Sequence, residues 1–108
     1  MMVCVPVTSD GQVGGSWGRA DRVAIAEVSA GRIVSWEEID VRWNVLHDEG
    51  TEGSHHARVA RFLMDHKVSQ VVSGHMGPGM QQMLAKMGLT VRVGATGDAR
   101  RAVVTGVN

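Results

Sequence analysis

Hydrophobic positions change period along the chain, from 2 and continuous runs in the first part to 3.6 in the second. Met2 to Val7 is an apolar run without polar alternation, which predicts a short central strand buried on both faces. Asp21 to Val28 predicts a second strand, with Val23, Ile25 and Glu27 on one face. Ala30-Gly31 marks a tight turn, and Arg32 to Val41 supplies a partner carrying Ile33, Ile39 and Val41. The pair reads as a β-hairpin whose charged second strand suits a sheet edge. Trp36 and Trp43 are assigned to that strand, covering one face of the sheet; Trp17 has no assigned place.

Asn44 to Gly53 is polar and acidic and reads as a loop. Ser54 is the expected N-cap of a helix running to about Lys67, with Val59, Ala60, Leu63 and Met64 as its apolar stripe. Val68 to Ser73 is a further strand, a helix follows to about Gly88, and Leu89 to Val93 is the last strand. Asp98 to Val104 reads as a short closing helix. The order is β, β-hairpin, α, β, α, β, α. Alternating helix and strand in the second half requires parallel strands joined by crossovers, and the early hairpin adds antiparallel pairing. The expected architecture is a mixed sheet with helices packed on it, in one domain spanning residues 1–108.

Two glycine-rich stretches interrupt this pattern. Thr8 to Gly18 holds four glycines and is long for a connection in a small domain. Val71-Val72-Ser73-Gly74-His75-Met76-Gly77-Pro78-Gly79 passes from strand to glycine loop to a proline suited to the first helical turn. The first N–H groups of that helix lack intrahelical partners, and glycines let backbone approach a ligand closely. His75 is the one side chain of this loop able to ligate a metal. Glycines there serve tight strand-to-helix packing equally well.

Composition removes several function classes. Eleven Lys and Arg balance eleven Asp and Glu, with no basic tract beyond Arg100-Arg101, so the clustered charge of a nucleic-acid binder is missing. Aromatic residues are 4% of the chain, too few for a platform that stacks single strands. No apolar run approaches the length of a membrane span, and the N-terminus lacks a signal-peptide pattern. One cysteine forbids an internal disulfide framework, and Cys4 reads as a small buried hydrophobe. These features favour a cytoplasmic protein. The seven methionines read as adaptable core filler.

Five histidines are the remaining chemistry. His55 and His56 are adjacent, so on a helix they point about 100° apart and do not share one metal without loop geometry. They either face the mouth shared with His75 or are solvated residues at a helix entrance. His66 suits a helix C-terminus. His47, beside Asp48 and Glu49, is either a weak metal clamp or an exposed polar loop residue. No spacing matches a closed zinc site or a cysteine-ligated iron–sulfur cluster. Enzyme readings rank last. The Met2–Val7 strand has no carboxylates for a two-metal nuclease, and there is neither a nucleophile elbow nor a phosphate loop.

Over nearly its whole length the chain resembles the dinitrogenase iron-molybdenum cofactor biosynthesis family. The resemblance is carried by Met2-Val3-Cys4-Val5-Pro6-Val7, Gly18-Arg19-Ala20, the turn at Gly31 and, most specifically, Val71 to Pro78, followed by Met87-Gly88-Leu89-Thr90-Val91. It implies a ribonuclease-H-like three-layer α/β/α domain with a five-stranded mixed sheet. It also implies a non-enzymatic carrier of an iron-sulfur or iron-molybdenum type cluster or its precursor, serving cofactor-assembly proteins and nitrogen fixation. The alternative reading is a metal-free binding or regulatory module for a small anionic ligand or a protein partner.

Where many members carry His-Phe-Gly before Arg-Ala, this chain has Ser16-Trp17-Gly18, and serine is a poor substitute for an imidazole ligand. The expected site is a mouth between the Gly11–Ala20 loop, His55 and the His75 loop. Its candidate binding residues are His75, Gly74, Met76 and Gly77 from one loop and Trp17 and Gly18 from the other. His75 and His55 are the candidate metal ligands. A cluster held by so few protein ligands suits a carrier that must release its cargo.

Overall fold

A computed structural model describes residues 1–105. Five strands form one mixed sheet: β1 (Met2–Pro6), β2 (Arg22–Ser29), β3 (Arg32–Asp40), β4 (Gln70–Val72) and β5 (Thr90–Arg92). Their spatial order is β3-β2-β1-β4-β5. β1 pairs antiparallel with β2 and parallel with β4; β2–β3 is antiparallel and β4–β5 parallel. The helices are α1 (Trp43–Leu46), α2 (Glu52–Asp65), α3 (Pro78–Lys86) and α4 (Ala99–Thr105). The α/β fold with a five-stranded mixed sheet is as the sequence predicts, and α1 is an addition to it.

The apolar run of β1 has a simple cause: it is the central strand, buried on both faces. Cys4 joins Val23, Ile25 and Val71 on the face covered by α2 and α3, where Val59, Leu63, Met80 and Leu84 meet them. Val3 and Val5 join Ala24, Ala26 and Val72 on the other face, under Ala99 and Val103 of α4. The result is three layers. Burying each Leu or Val side chain contributes about 1.5–3 kcal/mol against leaving it in water, so these two clusters dominate the stability.

Local chemistry sets the boundaries. Ala30 and Gly31 both take positive φ, 52° and 74°, the two-residue turn whose twist matches a hairpin. Pairing jumps from Glu27↔Ser35 to Val28↔Ile33, which leaves Val34 as the extra residue of a β-bulge. The bulge lets Ile33 and Trp36 share the α4 face while Ile39 packs on the other. Arg42, at φ 56°, then ends the strand direction. Trp43 therefore leaves the sheet and is buried at the head of α1, a correction to its assignment to β3 beside Trp36.

Two further boundaries move. Thr51, not Ser54, is the N-cap of α2; Thr51 Oγ1 accepts from the Ser54 N–H, and Ser54 Oγ accepts from the Thr51 N–H. This is a capping box with serine in the reciprocal position. The buried stripe of α2 is His55, Val59 and Leu63, at intervals of four, whereas Met64 is 63% exposed. Among the described residues no helix is long and apolar enough to cross a membrane.

Candidate functional site

Past Val72 the β4 chain continues between two loops that hold it from both sides. On one side Ser73 N–H donates to the Arg92 carbonyl (2.9 Å) and Gly94 N–H to the Gly74 carbonyl (2.8 Å). On the other, His75 N–H donates to the Gly15 carbonyl (2.9 Å) and Trp17 N–H to the His75 carbonyl (2.9 Å). Ser16 and His75 form a parallel bridge, so the Thr8–Gly18 loop prolongs the sheet beside the β4 extension. A β-carbon at Gly74 would sit 3.0 Å from the Gly14 and Gly15 carbonyl oxygens. Glycine is needed there for backbone contact, so Gly74 builds the site from behind instead of lining it.

Beyond His75 the chain turns into α3. Met76 is buried against the α2–α3 cluster, and Gln81 Nε2 donates to its carbonyl at 2.8 Å. Gly77 is the N-cap, without a side-chain cap, and Pro78 opens the helix. Against this helix start lies a cleft of about 330 Å³. It is lined by Ser16, Gly18 and Arg19 of the first glycine loop, by His75 to Met80, and by His47, Glu52, His55 and His56, with Ser16 and His75 side by side. The expected mouth therefore exists as one cleft. His75, Met76, Gly77 and Gly18 line it, with His75 exposed.

Trp17 does not line it. Its side chain is fully buried and packs edge-on against Trp43, ring centroids 5.1 Å apart. Its Nε1–H has no hydrogen-bond partner among the described residues. Trp17 is thus a core anchor for its loop, and the sequence reading of it as a binding residue gives way to that.

His55 borders the cleft in a role other than the expected one. The residue is 2% exposed, and both ring nitrogens are engaged. Nε2–H donates to the Gly18 carbonyl at 2.9 Å, and Nδ1 accepts from Arg58 Nη1 at 2.9 Å, the tautomer this network assigns. Burial pushes its pKa below the ordinary histidine value; the Gly18 contact opposes this, and His47, Arg58 and His56 add to it. A neutral imidazole with both nitrogens bonded leaves none free for a metal in this arrangement. The physical reason the ligand expectation for His55 fails is its position in the 55-59-63 stripe, which turns it inward.

The other histidines divide clearly. The His47 ring meets His55 edge-on, centroids 4.9 Å apart, and His56 Nε2 lies 3.7 Å from Glu52 Oε1 at the N-terminal turn of α2. Both line the cleft, so sequence reasoning undervalued them; it also passed over Arg19 and Glu52. A signal was present, since Glu52 and His56 are four apart on a helix whose start the glycine loops face. His66 packs on Phe62, away from the cleft, at the C-cap of α2. Cys4 is fully buried in β1, and burial pushes its thiol pKa up, as befits an inert core residue.

Among the described residues no group of three or more His, Cys, Asp or Glu side chains is arranged to hold a metal ion. The cleft instead offers one exposed imidazole on a rigid loop, a guanidinium, and the uncapped start of a nine-residue helix. The dinitrogenase iron-molybdenum cofactor family pattern matches residues 1–107. The chain belongs to that family. No curated protein sequence matches it.

Solved structures share the fold at low identity. The crystal structure of PH0822 is 19% identical with a TM-score of 0.76, covering 98% of this chain and 90% of the other. The apo form of the orange protein from Desulfovibrio gigas is 21% identical with a TM-score of 0.74, covering 96% and 83%. A Thermotoga protein solved by NMR is 19% identical with a TM-score of 0.68, covering 94% and 83%. At these identities the likeness speaks for the arrangement of strands and helices alone.

Proposed function

We propose that this protein binds and carries an iron-containing metallocluster, of the iron-molybdenum cofactor or precursor type, in the His75 cleft, without catalysing a reaction on it. The observation that carries the reading is the exposed His75 imidazole on a loop hydrogen-bonded from both sides, facing a cleft of about 330 Å³ in a chain of this family. The donor set fits cargo better than a resident ion. With no three-ligand group among the described residues, a cluster gains one imidazole bond here. Its remaining hold comes from Arg19 and from the N–H groups at the start of α3. Such binding is directional yet reversible, which is what a carrier handing cargo to cofactor-assembly proteins needs.

Anaerobic reconstitution with ferrous iron and sulfide, or with isolated cofactor, followed by visible absorption and metal analysis, tests the reading. The wild-type chain retains iron and colour; His75→Ala loses both while keeping its fold. A protein that stays colourless and metal-free, or one whose spectrum is indifferent to His75→Ala, overturns it.

The uncapped α3 N-terminus supports a second reading, a metal-free module for a small anionic ligand. A thermal-shift comparison separates the two. Stabilisation by phosphates or nucleotides, with none from iron clusters, favours the second.

A further inference from the structure

We infer that His55 and Arg58 are positioning residues that set the position of the Gly18–Arg19 wall of the cleft, and that His55 acts on cargo only through the Gly18 carbonyl. The inference rests on the cleft being the binding site, as proposed above, but its structural half can be read without any cargo.

Three segments far apart in sequence meet at these two side chains. Arg58 Nη1 donates to the Leu46 carbonyl (3.3 Å) and to His55 Nδ1 (2.9 Å), and His55 Nε2–H donates on to the Gly18 carbonyl (2.9 Å). A chain of hydrogen bonds therefore runs from the end of α1, through α2, to the glycine loop. It is sheltered: His55 is 2% exposed and lies edge-on to Trp43, with centroids 6.3 Å apart. Shelter makes each bond worth more than a surface contact and makes loss of one partner costly.

The segment it holds is otherwise tied on that side by the exposed Arg19–Asp48 pair (3.5 Å) and by Asn44 N–H donating to the Ala20 carbonyl (3.2 Å), both toward α1 and the turn after it. Gly18 has no side chain, and space around its β-position is open. Ser16 and Arg19 of the same loop line both this cleft and a neighbouring one of about 350 Å³, so the loop is the partition between two openings. Trp17 anchors the loop inward and the His75 pairing anchors it lengthwise. The His55 bond is the described hydrogen bond that ties Gly18 directly to α2. Loss of that bond frees the Gly18–Arg19 side of the cleft from α2.

The chemistry demands one donor and one acceptor at opposite ends of a flat group, which neutral histidine supplies. Glutamine offers a donor and an acceptor on a side chain of similar reach; leucine keeps bulk and offers neither. Amide hydrogen exchange on His55→Leu, His55→Gln and Arg58→Leu is the test, read at Trp17 and His75, whose N–H groups close the loop pairing. In His55→Leu these amides exchange at least about tenfold faster, beyond any change at Val3 and Val5 of β1, and His55→Gln restores most of the protection. Equal acceleration across β1 and the loop, or no difference between the Leu and Gln variants, overturns the inference. Should His55→Leu fail to fold, Arg58→Leu reads the same amides under the same criteria.

Iron retention after reconstitution is the second readout. It falls at least about fivefold in His55→Leu and recovers in His55→Gln, about 1 kcal/mol in binding. Faster loop exchange with unchanged iron retention overturns the positioning role. A wild-type chain that holds no iron overturns the carriage reading alone, and the exchange result then decides the inference.

Discussion

Gly74 and Gly14 approach so closely that a β-carbon on Gly74 would lie 3.0 Å from the Gly14 carbonyl oxygen. The Gly15 carbonyl and Cα are as near, at 3.0 and 3.1 Å, so three backbone atoms would have to yield together. The same backbone carries the pairing that presents His75. Gly74→Ala should therefore destabilise the fold by about 1–3 kcal/mol, as overpacking does, and loosen the His75 loop. Gly18→Ala, with open space at its β-position, should stay within about 1 kcal/mol of wild type. Urea unfolding of the two variants measures the contrast; equal stabilities would refute it.

The buried His55 gives stability a pH dependence of definite sign. An unfolded histidine titrates near 6.5. Burial holds the folded value below that, with Arg58, His47 and His56 contributing in the same direction. Between the two values the unfolded chain binds more protons, so stability rises with pH. The full contribution is present above the unfolded value and is lost as pH falls through the window beneath it. Melting temperature should decline as pH drops below about 6.5, and the decline should be shallower in His55→Gln. Parallel profiles for the two proteins would show that other groups govern the acid limb.

Much of this was legible in the sequence because local and global signals agree. The Met2–Val7 run, the Ala30-Gly31 turn and the Gly77-Pro78 helix start each have one cheap local solution, and the fold adopts it. The failures share a different cause. Trp43 continued the apolar spacing of β3, but the positive φ of Arg42 turns the chain, and nothing about arginine announces that. Val34 is an ordinary β-former whose bulge reassigns every later side chain to the other face. His55 looked polar and adjacent to His56, yet its spacing to Val59 and Leu63 already marked a buried stripe. The place of the cleft was readable from two glycine loops, whereas the contacts of His55 depended on a partner 37 residues away.

The two long helices end alike, with one difference that predicts a stabilising change. In α3, Gly88 (φ 83°) follows the C-cap Met87; Gly88 N–H donates to the Ala85 carbonyl (3.0 Å) and Leu89 N–H to that of Leu84 (3.0 Å). In α2 the same bonds run from Lys67 to Met64 and from Val68 to Leu63, but the left-handed residue is Lys67, at φ 56°. This Schellman geometry favours glycine, since a β-carbon in the left-handed region costs about 1–2 kcal/mol. Lys67→Gly should raise stability by about 0.5–1 kcal/mol, and Gly88→Ala should lower it by about 1 kcal/mol. Thermal melts decide both signs.

Ser16 bridges directly to His75. Bridged neighbours sit on backbones about 4.7–4.9 Å apart with their side chains on one face, a spacing that lets two imidazoles converge on one metal. Both residues line the cleft, so the new ring has room and an exposed partner. Trp17, next in sequence, is buried and pins the backbone, so the substitution should not shift the loop. Ser16→His should therefore retain iron after anaerobic reconstitution about tenfold more tightly than wild type, close to 1.4 kcal/mol. The gain must vanish in the Ser16→His, His75→Ala double variant, because the two rings act as a pair. A gain that survives removal of His75 would place the added metal elsewhere and detach the cleft from the carriage reading.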